Sequence, residues 1–195
     1  MKDDKIVNMN QPIGSTINFD IKNQNLPKIM TKNGSDDFQT PPEALKPLLP
    51  YLQNHWRIWE CASGKGYLSA ELKRNGFNVF ESDLNVKNDR CSRYDFLTYE
   101  HLKTDCIITN PPFSKKNQFI ERCYELGKPF ALLLPLSALE TQRRQKQWGK
   151  GLQLIVLDKR LNFETPDNTK SHCWFASAWF THKLNLPKDI IFGEI

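Results

Sequence analysis

From residue 55 onward, short apolar runs alternate with amphipathic stretches along the chain. Seven of these runs have the length and composition of buried strands, and the last one is alternating and aromatic. Strands separated in this way by helical segments are typical of a largely parallel sheet flanked by helices. The pattern therefore predicts an α/β fold. The runs cover residues 55–60, 77–83, 90–97, 105–110, 129–135, 152–158 and 173–182, of which 90–97 is the weakest.

Helical segments lie between several of these runs. Residues 67–76 carry leucines on one face and end at Gly76, and residues 114–127 end at Gly127. Glycine is the usual residue just past the end of a helix, so both stretches are predicted to be α-helices. The basic stretch 142–151 is predicted to be a helix or a loop.

The length of the chain suits a single domain. At 195 residues it is long enough for one well-buried core and short for two. Residues 1–34 are rich in Asn, Lys, Asp and Gln without a sustained period, so we expect a poorly ordered polar arm and one domain over residues 35–195. That domain is predicted to begin with a short helix over 40–53, with Thr40 as its N-cap and internal prolines that limit its length.

Bulk composition excludes some classes of function. No apolar run approaches the roughly 18 to 20 residues needed to cross a bilayer, and the first residues lack the apolar stretch of a secretory signal. We therefore expect a cytoplasmic protein with no membrane contact. The net charge of +5 favours a polyanionic partner, although many enzymes acting on neutral ligands carry a similar excess.

The cysteines do not form a metal-binding pattern. They are scattered without a CxxC pair, mostly in apolar surroundings, and the four histidines are not spaced to complete a site. We interpret them as reduced, buried small residues and expect no bound metal. The cysteines are Cys61, Cys91, Cys106, Cys123 and Cys173.

The ends of the predicted strands carry the candidate chemistry, because open parallel sheets bind ligands at the carboxyl ends of their strands. The first strand ends in Glu60 and leads into a glycine-rich turn at Gly64, where the backbone can approach a ligand closely. A GxG turn alone is a weak signal. About twenty residues later, Asp83 ends the second strand at a position suited to ribose hydroxyls. Asp95 and Phe96 lie at the end of the third strand and suit an adenine amine and its ring.

The fourth predicted strand is followed by the tetrapeptide Asn110-Pro111-Pro112-Phe113. Two successive prolines fix the backbone, so the Asn110 side-chain oxygen and the Pro111 carbonyl can converge as acceptors for an amine with two hydrogens. Phe113 is placed to stack on a planar base. A strand that simply ends in a rigid proline turn is the alternative, and the asparagine before it and the aromatic after it disfavour that reading.

In this order, the motifs resemble the class I S-adenosylmethionine-dependent methyltransferases, specifically those that methylate exocyclic amines and share the Asn-Pro-Pro-Phe tetrapeptide. The resemblance covers residues 36–182. It includes residues 37–41, which are similar to a cofactor-binding element of small, phage-type DNA N6-adenine methyltransferases. It implies a Rossmann-like seven-stranded sheet, mostly parallel, with the last strand antiparallel. It also implies S-adenosylmethionine as cofactor and the adenine amine of DNA as methyl acceptor.

The resemblance further implies a role for each matched residue. The catalytic residues are Asn110, Pro111, Pro112 and Phe113. The cofactor-binding residues are Phe38, Thr40, Pro41, Glu60, Ala62, Gly64, Gly66, Asp83, Leu84, Asp95, Phe96 and Asn110. The substrate-binding residues are Phe113, Lys115, Lys116 and Phe163, where Phe163, in a predicted loop, either adds a second aromatic to the base or packs under that loop.

Basic residues follow the fourth and fifth predicted strands, on the predicted edge of the site. They are candidates for contacts to nucleic-acid phosphates, and a solvated helix face explains them equally well. These residues are Lys115, Lys116, Arg143, Arg144, Lys146 and Lys150.

Other functions fit parts of the same pattern. An RNA methyltransferase acting on ribosomal or transfer RNA can use the same tetrapeptide, and a protein glutamine methyltransferase can offer the same acceptors to a planar amide. A non-catalytic binding protein with this fold is disfavoured because the tetrapeptide and the glycine turn are both intact. A nucleotide-dependent dehydrogenase is disfavoured because Ser69 stands where a full GxGxxG motif requires glycine.

Overall fold

The computed structural model describes residues 38–87, 89–99, 103–140, 145–146, 148–164, 170–172 and 175–195. The predicted polar arm over residues 1–34 lies outside these ranges. Arg143, Arg144 and Cys173 also lie outside them.

Within the described ranges, strands outnumber helices. The α-helices with given bounds are α1 (Tyr67–Arg74) and α2 (Lys116–Leu126), and residues 145–146 and 148, within the basic stretch predicted to be a helix or a loop, are also helical. No helix of the described residues is long and apolar enough to span a bilayer. Short 3-10 helices cover Pro42–Leu45, Leu49–Tyr51, Phe113–Lys115 and Leu136–Leu139. The strands are β1 (Arg57–Glu60), β2 (Asn78–Asp83), β3 (Ser92–Arg93), β4 (Cys106–Thr109), β5 (Phe130–Pro135), β6 (Leu152–Leu157), β7 (Asn162–Glu164), β8 (Lys170–His172), β9 (Ser177–His182) and β10 (Ile190–Gly193).

Eight strands form one mixed sheet in the order β10-β6-β9-β5-β4-β1-β2-β3, and β7 and β8 form a separate antiparallel pair. Pairings in the main sheet are parallel except those of β9, which runs antiparallel to both β5 and β6. The predicted α/β fold with a mostly parallel, Rossmann-like sheet is therefore confirmed, with β9 as its antiparallel strand. The sheet has eight strands where seven were expected.

The additional strand is β10, at the edge of the sheet beside β6. Its apolar run, residues 190–192, is only three residues long, below the roughly four to eight that predict a strand. Its alternate residues Ile190 and Phe192 are 54% and 79% exposed. On its other face, a Cβ at Gly193 would lie 2.3 Å from Cβ of Pro47. The close approach of these two segments therefore requires glycine at that position.

Two other predicted elements differ from the structure. The region around Phe163 is strand β7 rather than a loop, because its backbone pairs with β8 and, at Glu164, with Gln39. The helix predicted over 40–53 is two 3-10 helices, since Pro47 and Pro50 lack the N–H that an α-helix would use. Pro41, rather than Thr40, is the N-cap of the first, without a side-chain cap.

Two apolar layers pack on opposite faces of the main sheet. Adjacent residues of one strand contribute to different layers, as alternation along a strand requires; Ile107 and Ile108 are an example. Helix α1 contributes leucines to one layer, and α2 contributes Phe119 and Ile120 to the other. Cys61, Cys91, Cys106 and Cys123 are free and buried, in agreement with their interpretation as small core residues.

Candidate active site

The carboxyl ends of β1, β2 and β4 border a cleft of about 360 Å³. Parallel strands bring these ends to one edge of the sheet, and the volume is in the range of small-molecule sites. Many of the predicted site residues line this cleft: Phe38, Thr40, Glu60, Ala62, Gly64, Asp83, Leu84, Asp95, Phe96, Asn110, Pro112 and Lys115. The other predicted residues are not part of its lining: Pro41, Gly66, Pro111, Phe113, Lys116 and Phe163.

The glycine-rich turn between β1 and α1 forms one wall of the cleft. Gly64 has a φ of +53° and Gly66 a φ of +84°, left-handed values that residues with a side chain rarely adopt. A Cβ at Gly64 would lie 2.7 Å from Oε1 of Gln39, so the space beside the turn is already filled. Glycine at this position therefore lets the Gln39 side chain pack directly against the backbone of the turn.

Glu60 ends β1 at the base of the cleft and is 1% exposed. Its Oε1 accepts hydrogen bonds from the Ala62 N–H at 3.2 Å and from the Thr109 hydroxyl. Its buried Oε2 has no hydrogen-bond partner among the described residues. Burial raises the pKa of Glu60 to about 8, although the bonds from Thr109 and Ala62 oppose the shift. A cationic hydrogen-bond donor bound in the cleft would stabilise the ionised form of Glu60 and lower its pKa.

Asp83 ends β2 next to the glycine turn. Its Oδ2 accepts the Gly64 N–H at 2.9 Å, and its Oδ1 accepts the Asn85 N–H at 2.7 Å. The register of β1 and β2 pairs Glu60 with Glu81, so Asp83 lies two residues further toward the cleft edge. A carboxylate offers about four acceptor positions, and Asp83 can therefore accept further hydrogen bonds from a ligand.

Residues 94–96, which follow β3, form another wall of the cleft. Asp95 accepts a backbone N–H two residues later at 2.9 Å, which fixes the turn. Phe96 is 2% exposed and packs edge-on against Trp59, with ring centroids 5.1 Å apart. The more exposed aromatic of this wall is Tyr94, which sequence analysis did not single out; it is 37% exposed and stacks on Tyr99 at 3.8 Å. The run of aromatics around Asp95 was the available signal.

Asn110 directly follows β4, and its side chain lines the cleft. Its Nδ2 donates to the Phe38 carbonyl at 3.5 Å, and its buried Oδ1 has no hydrogen-bond partner among the described residues. The two prolines that follow have no N–H to offer that oxygen. A buried acceptor without a donor costs about 1–3 kcal/mol, and such an oxygen is a natural position for a ligand's donor.

Phe113 belongs to a cluster of four phenylalanines beside the tetrapeptide. Its ring stacks on that of Phe38, with centroids 6.0 Å apart, and contacts Phe175 edge-on at 5.6 Å and Phe163 at 6.3 Å. Phe163 is 2% exposed and belongs to the apolar core. In this arrangement it packs beneath the site, which is the second of the two roles considered for it.

The lysines predicted to contact phosphates lie in three different environments. Lys115 lines the cleft, whereas Nζ of Lys116 donates to the Phe113 carbonyl at 3.1 Å. Lys150 precedes β6, which runs parallel to β5, so it lies at the opposite edge of the sheet, with Nζ 5.9 Å from the Tyr124 ring centroid. The expectation that Lys150 lies on the same edge as the site is therefore wrong, because Lys150 precedes the amino end of β6, whereas the site lies at the carboxyl ends of the parallel strands.

Gln39, Tyr67 and Glu164 are further residues of this region that sequence analysis did not single out. Gln39 and Tyr67 line the cleft, and Gln39 Oε1 accepts the Lys65 N–H at 2.7 Å. The Glu164 carboxylate forms an ion pair with Lys65 and accepts a hydrogen bond from the Tyr67 hydroxyl at 3.0 Å. Gln39 stands inside the recognised segment 37–41, which was a usable signal, whereas nothing local marks Glu164.

Comparison with solved structures shows which fold this is. A protein from Listeria monocytogenes assigned as a class I S-adenosylmethionine-dependent methyltransferase has a TM-score of 0.53 and 13% identity over 86% of this chain and 68% of that protein. A modification subunit assigned to a type I restriction enzyme of Vibrio vulnificus YJ016 has a TM-score of 0.49 and 13% identity over 79% of this chain. A tRNA methyltransferase from Aquifex aeolicus has a TM-score of 0.43 and 15% identity over 72% of this chain and 68% of that protein.

The likeness to the Listeria protein shows that the chain has the Rossmann-like fold of class I methyltransferases. The chain spans 45% of the length of the Vibrio modification subunit. No protein-family model matches the sequence, and no curated protein is significantly similar to it. The fold alone does not define the substrate, which depends on the residues of the site.

Proposed function

We propose that this protein transfers a methyl group from S-adenosylmethionine to the exocyclic amine of adenine in DNA. The observation that carries the proposal is the Asn110 side chain, whose buried Oδ1 has no donor among the described residues. It is held on a backbone fixed by two prolines, at the end of β4 and beside the cleft. The methyltransferase fold supports the class of reaction.

The cleft fits S-adenosylmethionine in three respects. The turn at Gly64 and the Gln39 side chain that packs on it both line the cleft and can contact the cofactor. Oε2 of Glu60, which has no partner among the described residues, can accept a hydrogen bond from the ammonium group in the methionine part of the cofactor. Asp83 can accept hydrogen bonds from its ribose hydroxyls. When bound, S-adenosylmethionine supplies an electrophilic methyl group on its sulfonium sulfur.

The tetrapeptide acts on the acceptor amine. Asn110 Oδ1 and the Pro111 carbonyl would accept the two hydrogens of the amine, which turns its lone pair out of conjugation with the ring. The same acceptors stabilise the positive charge that develops on nitrogen as the N–C bond forms and the C–S bond breaks. The methylated amine then loses one proton to water. Phe113 would hold the base by stacking.

Adenine in DNA is the proposed acceptor for two reasons. Residues 37–41 resemble the cofactor-binding element of DNA N6-adenine methyltransferases, and the net charge of +5 suits a polyanion. In a duplex the base must first leave the stack, at a cost of a few kcal/mol. The half-buried Lys115, which lines the cleft, offers a cation for the neighbouring phosphates.

The test combines labelled cofactor with two variants. Purified protein is incubated with tritium-labelled S-adenosylmethionine and double-stranded DNA, single-stranded DNA or total RNA, and the products are digested to nucleosides. We expect label in N6-methyldeoxyadenosine, a rate lowered about 100-fold or more by Asn110→Ala, and a much smaller loss in the affinity of that variant for S-adenosylhomocysteine. Asn78→Ala, exposed at the opposite end of β2, is the matched control and should leave the rate unchanged.

Each alternative function has its own outcome. Label confined to ribonucleosides would move the substrate to RNA and leave the mechanism intact. Cofactor binding without label in any nucleic acid would point to a protein acceptor or a non-catalytic protein. Full activity of Asn110→Ala would contradict the role assigned to the tetrapeptide.

A further inference from the structure

Three segments distant in sequence meet at Glu164 beside the cleft. Glu164, the last residue of β7, forms an ion pair with Lys65 and accepts a hydrogen bond from the Tyr67 hydroxyl. Both partners belong to the glycine turn and the first residue of α1. The hydrogen bond from Lys65 lowers the pKa of Glu164, so its carboxylate is ionised at neutral pH.

Gln39 is joined to Glu164 by two main-chain hydrogen bonds. Its N–H donates to the Glu164 carbonyl at 2.9 Å, and the Glu164 N–H donates to the Gln39 carbonyl at 3.2 Å. Its side chain accepts the Lys65 N–H at 2.7 Å and lies against Gly64. The side chain and the main chain of Glu164 are therefore both tied to the same wall of the cleft.

The residue next to Glu164 is tied to the other half of the site. Successive side chains of a strand point to opposite faces, so β7 directs Phe163 away from Glu164. The Phe163 ring contacts those of Phe113 and Phe38, with centroids 6.3 Å and 6.4 Å apart. One short strand thus touches the glycine turn with one residue and the Asn-Pro-Pro-Phe tetrapeptide with the next.

We propose that Glu164 is a positioning residue that couples the cofactor cleft to the target-base side of the site. This inference rests on the proposed function, which assigns the two sides their ligands. A ligand in the cleft would contact Gln39 and Tyr67, which line it and are both bonded to Glu164. Ordering of the Tyr67 side chain by the first ligand holds the Glu164 carboxylate, and with it β7 and Phe163, in place for the second ligand.

The ion pair itself contributes little to the stability of the fold. The side chains of Lys65 and Glu164 are 33% and 27% exposed, and pairs open to water are worth little. Removing the carboxylate should therefore leave the protein folded. Its effect should appear in how strongly one ligand changes the affinity for the other.

The experiment measures binding of an adenine-containing DNA duplex with and without S-adenosylhomocysteine, by fluorescence anisotropy. In the unmodified protein we expect S-adenosylhomocysteine to tighten DNA binding by about fivefold or more, and in Glu164→Gln by less than about twofold. Glu125→Gln, which removes a carboxylate paired with Arg122 on the surface of α2, is the control and should keep the full factor. The melting temperature of Glu164→Gln should fall by no more than about 4 °C.

A charge reversal tests whether the pair with Lys65 is responsible. Lys65→Glu and Glu164→Lys should each abolish the coupling, and their combination should restore much of it. Coupling that persists in Glu164→Gln, or is absent from the unmodified protein although both ligands bind, would overturn the inference alone. Failure of the unmodified protein to bind S-adenosylhomocysteine would instead overturn the proposed function and this inference with it.

Discussion

Gly64 provides a direct test of how the turn builds the cleft, through the substitution Gly64→Ala. Its φ of +53° costs an alanine about 1–2 kcal/mol. The new Cβ would also lie 2.7 Å from Gln39 Oε1 and force that side chain to move. Because the same oxygen accepts the Lys65 N–H at 2.7 Å, the shift removes a hydrogen bond worth about 1 kcal/mol. Together these effects lower the free energy of unfolding by about 2–3 kcal/mol.

Gly127→Ala separates the two contributions. Gly127 has a φ of +65° at the end of α2, and a Cβ there would meet nothing within 4 Å. This variant should lose about 1–2 kcal/mol from backbone strain and keep its affinity for S-adenosylhomocysteine in calorimetry. Gly64→Ala should also bind that ligand about tenfold more weakly, because Gln39 lines the cleft. Equal affinities for the two variants would refute the argument.

Two further predictions concern charge. Because burial raises the pKa of Glu60 to about 8, the native state keeps a proton that the unfolded chain releases above about 4.5; stability should fall by up to roughly 1.4 kcal/mol per pH unit between those values. Melting curves from pH 5 to 9 should show this slope, and Glu60→Gln should flatten it; identical profiles would contradict the shift. Lys115→Ala should lower the salt dependence of DNA binding by about one counterion, measured by anisotropy across a potassium chloride series, whereas Lys150→Ala at the opposite edge should not. An equal change in both variants would argue against phosphate contact by Lys115.

The central part of the site could be predicted because it depends on strand ends. Glu60, Asp83 and Asn110 each stand where an apolar run stops, and parallel strands bring those ends to one edge. The β1–β2 register adds the geometry, since Glu60 pairs with Glu81 and leaves Asp83 two residues beyond it. Local pattern and sheet topology together are sufficient for this part of the molecule.

The remaining part depends on contacts that no local pattern records. Glu164 reaches Lys65 across 99 residues, and its own segment is polar enough to suggest a loop. Phe163 was given two roles from sequence, and its burial follows from β7 packing on the core rather than from its neighbours in the chain. Strand β10 was missed for a different reason: its apolar run, residues 190–192, is shorter than the runs that predict a strand.

The position of β9 has a consequence for the order of folding. Strands β6 and β10 are joined to the rest of the main sheet through β9 alone among the described strands, although β6 precedes β9 in the chain. During synthesis, β1, β2, β4 and β5 can pair as soon as they emerge, whereas β6 has no neighbour until residues 177–182 arrive. The half of the sheet that contains β1, β2, β4 and β5, and with it the cleft, can therefore assemble while the apolar strand Leu152–Leu157 is still unpaired.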